Sequence, residues 1–226
     1  MIKQTPGKIF LAERRSCQET AQFQRLSTTE TGLSGSILQA VHEEALAGGQ
    51  GVRLPVAEPT CVLVLPVTGS VVVGSPAGEA TVGVEEAYVL LLPAGSTLHL
   101  RNPYATHPIA LLHVWLAAPA PLEAASQRFA FQHTALLNNL WPIVPSGSDH
   151  CALPFCAALG QFAGRAEAVY RPRPASQLFA YVLAGAFEVE GRLLHANDGL
   201  ALWGTEEVEL EALSHNALVL VLELPA

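Results

Sequence analysis

Three histidines, His99, His107 and His113, are the nearest approach in this sequence to a group of transition-metal donors. Imidazole suits first-row metals, but a firm site needs a third or fourth donor held in fixed geometry. His99 and His107 flank residues 101–106 and could meet across a hairpin, although a pair alone reads more simply as two exposed side chains. His113 alternates with Leu111 and Trp115, the spacing of a hydrogen-bonded histidine on a half-buried strand face. His42, His133, His150, His195 and His215 are scattered without ligand spacing and receive no role.

Other reactive types are weaker still. Asp149, His150 and Cys151 precede Cys156, but that gap is not the two-to-four-residue spacing of structural zinc pairs, and a loop with buried thiols is the simpler reading. Glu85-Glu86 and the run 206–211 (EEVELE) supply carboxylates. Paired acids do acid–base work only in a cleft that splits their pKa values, and Glu207, Glu209 and Glu211 alternate with Val208, Leu210 and Ala212 as on a strand with one wet face. No serine sits in a Gly-x-Ser-x-Gly frame, and no glycine-rich phosphate loop leads into a helix. Arg171 and Arg173, set between prolines, form a small basic patch open to an anion, or simply cap a strand.

The elements that must carry these residues are strands. Short β-rich runs at 36–40, 61–67, 71–73, 79–84, 88–92, 97–100 and 109–116 are separated by Gly, Pro and Ser turns. A second series follows at 155–159, 166–170, 178–183, 187–189, 193–195, 200–203, 208–212 and 217–224. Between them, Ala117–Pro121 breaks the composition, and apolar residues at helical spacing predict one short linking helix over 122–139. The runs CVLVLPVTGSVVV and LFAYVLAGAFEV share a strand, small-Gly turn, strand order. They mark a repeat of about 115 residues, and hence a duplicated barrel or sandwich with domains at 1–117 and 118–226.

Composition narrows the function. Half of the 226 residues are hydrophobic, enough for two cores, yet no apolar run reaches the length of a spanning helix. No secretory signal is legible at the start, and four cysteines make no disulfide framework, so a reducing cytoplasm is expected. A net charge of −8 with 12 basic residues argues against nucleic acid as partner, and no membrane partner is expected.

The C-terminal stretch FAYVLAGAFEVEGRLLHANDGLALW resembles the second barrel of pirin-like bicupins. The start MIKQTPGKIFLAERR and the turns at Pro93-Ala94-Gly95 and Asn102-Pro103-Tyr104 resemble the first. The resemblance spans nearly the whole chain. It implies an all-β fold of two tandem cupin (jelly-roll) barrels, with the N-terminal segment crossing to the second. It also implies iron, manganese or nickel held by three histidines and a carboxylate. Here the resemblance fails. Before the Gly69 turn the ligand positions read Pro55 with Ala57, or Val56 with Glu58; after Gly95 they read Leu98 or Leu100, then Asn102. In the second half they read Arg171, Pro172, Arg173 and Pro174.

The expectation is therefore a metal-free, non-catalytic pirin-like protein without cofactor, in a binding or regulatory role. Pro55, Ala57, Leu98, Leu100 and Asn102 would line a small apolar pocket for an unidentified small molecule. Two alternatives stand beside it. One is a metal-dependent cupin dioxygenase, quercetin 2,3-dioxygenase-like, or an isomerase, using His99, His107 and His113. The other is a self-associating interaction module, as monomer or homodimer.

Overall fold

Alternation of apolar and polar side chains organises the chain into strands, and the computed structural model describes residues 5–29, 36–120, 123–145 and 153–225. The first strand is β1 (Gly7–Phe10). Then come β2 (Ser16–Glu19), β3 (Phe23–Thr29), β4 (Leu38–Leu46), β5 (Gly51–Pro55), β6 (Thr60–Thr68) and β7 (Val71–Ser75). They continue with β8 (Gly78–Val82), β9 (Glu86–Leu92), β10 (Thr97–Arg101), β11 (Ile109–Ala117) and β12 (Ala125–Ala130). The last group is β13 (Trp141–Val144), β14 (Cys156–Phe162), β15 (Glu167–Tyr170), β16 (Ser176–Ala184) and β17 (Ala186–Val189), then β18 (Arg192–His195), β19 (Gly199–Trp203), β20 (Val208–Ala212) and β21 (Ala217–Pro225).

Two compact units result, one from Arg15 to Ala130 and one combining the chain before Arg15 with Phe131 onward. The first faces a seven-stranded sheet, β12-β9-β6-β11-β4-β3-β2, with a four-stranded sheet, β5-β10-β7-β8. Between them lies an apolar core that includes Val62, Val64, Leu90, Leu98, Leu100 and Leu111. The second unit repeats the plan with β1-β19-β16-β21-β14-β13 and β15-β20-β17-β18, around Phe162, Ala180, Val182, Phe187, Leu200 and Val221. Each is a cupin-type barrel of two antiparallel sheets.

Two expectations need correction. Residues 122–139 do not form a linking helix: β12 occupies 125–130, and only a single 3-10 turn, His133–Leu136, follows. The free edge of β9 decides this, since it offers unpaired backbone groups that Ala125–Ala130 satisfy in register, Ala125 against Leu91 through Ala130 against Glu86. The compact units also differ from 1–117 and 118–226. β12 extends the first barrel's sheet to Ala130, and β1 pairs with β19, Gly7 against Leu202 through Phe10 against Gly199, so the N-terminal strand belongs to the second barrel.

The turn between β6 and β7 depends on Gly69. Its φ is +72°, and a Cβ there would meet Ile109 Cγ2 at 2.8 Å and Tyr104 Cε2 at 3.0 Å. Among the described residues no helix is long and apolar enough to cross a membrane.

Candidate functional site

Side chains alternate across a strand, so the residues that share a face with Leu46, Ile109 and Leu111 in the first barrel's core point into its lumen. On β4 these are Ala40, His42, Glu44 and Leu46; on β11 they are Ile109, Leu111, His113 and Trp115. On β3, Phe23 packs against the same core, and Arg25 and Ser27 follow on its face. Register brings them together: Arg25 and Leu111 flank Glu44, while Ser27 and His113 flank His42. A polar cluster thus interrupts an otherwise apolar lumen.

Its bonds fix its protonation. Glu44 is 1% exposed, and its Oε2 accepts from Arg25 Nε at 2.5 Å and meets His113 Nε2 at 3.3 Å. Trp115 Nε1 can only donate, and it lies 2.7 Å from His113 Nδ1. His113 must therefore accept at Nδ1 and carry its proton on Nε2, directed at the carboxylate. Burial, the largest influence, pulls the His113 pKa below 6.5, against the pull of Glu44, so its contact with Glu44 is a charge-assisted hydrogen bond rather than an ion pair. His42, with Ser27 Oγ 2.7 Å from its Nδ1, is lowered to about 3 by burial first, then by His113 and Arg25. The two imidazoles lie 4.8 Å apart, centre to centre. His42 and Trp115 are only half-buried, so the cluster reaches the surface at one end.

Glu44 Oε1 and Arg25 Nη2, both buried, have no hydrogen-bond partner among the described residues. They are the open half of a guanidinium–carboxylate fork whose other half is closed through Nε and Oε2.

The positions suggested by the family motif lie elsewhere. Pro55 and Ala57 are exposed and line no lumen, because β5 pairs with β10 as Leu98 against Leu54 and Leu100 against Val52; Val52, Leu54 and Val56 turn inward instead. Leu98 and Leu100 are fully buried in the core. Asn102 is buried too, but its Nδ2 donates to the carbonyls of Leu46, Ala47 and His107, and its Oδ1 accepts from the Tyr104 amide. That side chain is spent on holding loops. The inward residues at these positions offer no lone pairs to a cation, so they do not fit the metal that the fold implies. His99 and His107 are exposed while His113 is fully buried, so the three do not form one site. Among the described residues no group of three or more His, Cys, Asp or Glu is placed to hold a metal ion.

Arg25, Ser27, His42 and Glu44 were missed from sequence. Part of the signal was there in the alternation Ala40, His42, Glu44, Leu46, which marks β4 as running well past residue 40 with polar residues on the face of Leu46.

Among the described residues the second barrel buries two carboxylates, both committed: Asp198 accepts from the amides of Ala12 and His195, and Glu223 is held by more. Its Oε1 accepts from Arg173 N, Arg173 Nε and Ser176 Oγ, and its Oε2 accepts from Tyr170 Oη at 2.9 Å. Burial disfavours its charge, yet these bonds outweigh burial and hold its pKa below the usual range. Cys156 lies 3.5 Å from Arg173 Nη2, and burial pushes its thiol pKa up, away from the reactive thiolate. Arg171 pairs with Glu207, so both arginines of the basic patch are engaged. Asp149, His150 and Cys151 lie outside the described residues. On the outer face of the small sheet, Glu167, Glu188, Glu190, Glu209 and Glu211 line a cleft of about 170 Å³. Glu190 accepts from Thr5 and the Glu209 amide, and Glu211 pairs with Arg165, as on a solvated strand face.

The family model for the quercetinase C-terminal cupin domain matches residues 157–224. No protein of curated function matches the chain in sequence. Among solved structures, bacterial pirin YhhW from Escherichia coli in complex with nickel(II) is similar at a TM-score of 0.82 and 16% identity, over 97% of this chain and 99% of that one. YhaK from Escherichia coli gives 0.74 at 16%, over 95% of each chain. Quercetin 2,3-dioxygenase from Acinetobacter baumannii gives 0.74 at 14%, over 100% of this chain and 88% of that one. The second barrel thus carries a match to the quercetinase C-terminal cupin domain, and the chain as a whole shares the two-barrel cupin fold of those structures.

Proposed function

We propose that this bicupin is a metal-independent binding protein whose N-terminal barrel takes a small ligand rather than running an oxygenase reaction. One observation carries the reading. Where the fold would place metal ligands, the inward side chains are Leu54, Val56, Leu98 and Leu100, and Asn102 is already fully hydrogen-bonded. The lumen's other polar groups support it as well, because Arg25 sets a guanidinium beside the only carboxylate of the polar cluster and opposes a cation there. The nickel of the pirin YhhW complex and the activity named for the Acinetobacter enzyme belong to chains at most 16% identical, a distance at which fold is shared and chemistry need not be.

The test is elemental analysis of protein purified without chelators, then incubated with nickel, iron or manganese and desalted. Less than a tenth of an equivalent of any transition metal is the expected result. One equivalent retained per chain would end this reading and return the oxygenase alternative to first place.

A further inference from the structure

The half-made fork between Arg25 and Glu44 deepens that reading and rests on it. Glu44 Oε1 needs a donor and Arg25 Nη2 needs an acceptor, and each is buried, where an unmet polar atom is costly. The fork joins their Nε and Oε2 partners at 2.5 Å, so a single small group can serve both orphaned atoms.

Charge selects among such groups. The guanidinium and the carboxylate cancel, and both imidazoles are neutral, so the cluster has no net charge to offer an ion. An incoming carboxylate would meet Glu44, and an incoming ammonium would meet Arg25. A lone hydroxyl would satisfy both atoms no better than a water molecule does, so it gains little by displacing one. A carboxamide or lactam presents an N–H and a carbonyl oxygen on neighbouring atoms of one plane. The cluster's half-buried end has flat neighbours for it: the ring of Trp115 stands 6.3 Å from that of His42 and 6.2 Å from that of His113.

We infer that the N-terminal lumen binds a neutral, planar molecule through a carboxamide or lactam group. Its N–H donates to Glu44 Oε1, its carbonyl accepts from Arg25 Nη2, and its flat face lies beside Trp115 and His42.

Four probes of one shape test this by isothermal titration calorimetry: benzamide, benzoate, benzamidine and acetophenone. Benzamide is expected to bind one site per chain, at least tenfold more tightly than the anion, the cation or the acceptor-only ketone. Arg25→Lys keeps the positive charge and removes Nη2, and should weaken benzamide at least tenfold. Arg25→Lys is read only if its thermal midpoint stays near that of the parent; the four-probe ranking on the unaltered protein decides the matter without it. Acetophenone binding as tightly as benzamide, or no probe binding at all, would overturn the inference. Metal content is measured on the same preparation: metal-free protein that ignores benzamide sinks this inference alone, whereas an equivalent of metal sinks the reading beneath it.

Discussion

At the residue scale, the neutrality of His42 and His113 has a consequence for stability. Both imidazoles sit below their ordinary pKa of 6.5 in the folded protein, His42 at about 3, and both return to 6.5 on unfolding. Below pH 6.5 the unfolded chain therefore binds more protons than the folded one, so stability is complete above that pH and is lost as pH falls toward 3. The groups facing His42 are Arg25, Ser27, His113 and Trp115, and none offers it a free carboxylate to offset the loss. Glu223 is depressed as well, but its effect begins only below its ordinary 4.5, which leaves pH 4.5–6.5 to the imidazoles. Denaturant unfolding across that window should lose about 1 kcal/mol per pH unit from His42, with a further loss of the same sign from His113. His42→Gln, which keeps a partner for Ser27, should reduce the slope by about 1 kcal/mol per pH unit, and a flat profile in the parent protein would refute the assignment. Sequence gave partial access to this site. His113 was readable as a hydrogen-bonded residue on a half-buried strand face from its alternation with Leu111 and Trp115, and the fold buries it completely. Glu44 was partly legible in the alternation of β4, but its pairing with Arg25 was not, because an Arg–Glu pair on adjacent strands looks like any solvated pair until register puts it inside.

At the element scale, the Gly69 turn separates two contributions that a glycine can make. Gly69 and Gly95 have similar φ, +72° and +79°, but a Cβ at Gly69 meets Ile109 and Tyr104 while one at Gly95 meets nothing within 4 Å. Gly95→Ala should cost only the backbone term, about 1 kcal/mol, and Gly69→Ala about 1–3 kcal/mol more from the crowding of β11's first residue. Equal losses in urea unfolding would show that the contact is easily relieved. The strands flanking both turns were legible, since runs such as CVLVLPV admit no helical period and are bounded by turn residues. The segment 125–130 was not. Its apolar spacing permits a helix, and only the waiting edge of β9, about forty residues earlier in the chain, makes it a strand. The inward residues of β5 were displaced by one for the same reason: counting from Gly69 leaves two registers open, and pairing with β10 selects Leu54 and Val56 over Pro55 and Ala57.

At the scale of the whole molecule, β1 stabilises the second barrel although it precedes the first in sequence. β1 lines the edge of β19, Trp203 N donates to Pro6 O, Ala12 N donates to Asp198 Oδ1, and the rings of Phe10 and Phe179 meet edge to face at 5.8 Å. Arg192 Nη2 also reaches the Thr5 carbonyl. Removing residues 1–12 would strip these contacts and leave β19 as an open edge. A few net hydrogen bonds and one aromatic pair together suggest a loss of about 2–4 kcal/mol in the second barrel. Hydrogen exchange locates it. The Trp203 amide, and by alternation that of Ala201, should lose protection in the truncated protein, while the amides of Leu111 and His113 in the first barrel keep theirs. Equal loss in both barrels, or none in either, would contradict the assignment of the N-terminal strand to the second unit. With the expected pattern, benzamide binding in the first lumen should survive the truncation, since Arg25, Glu44 and Trp115 all belong to the other compact unit.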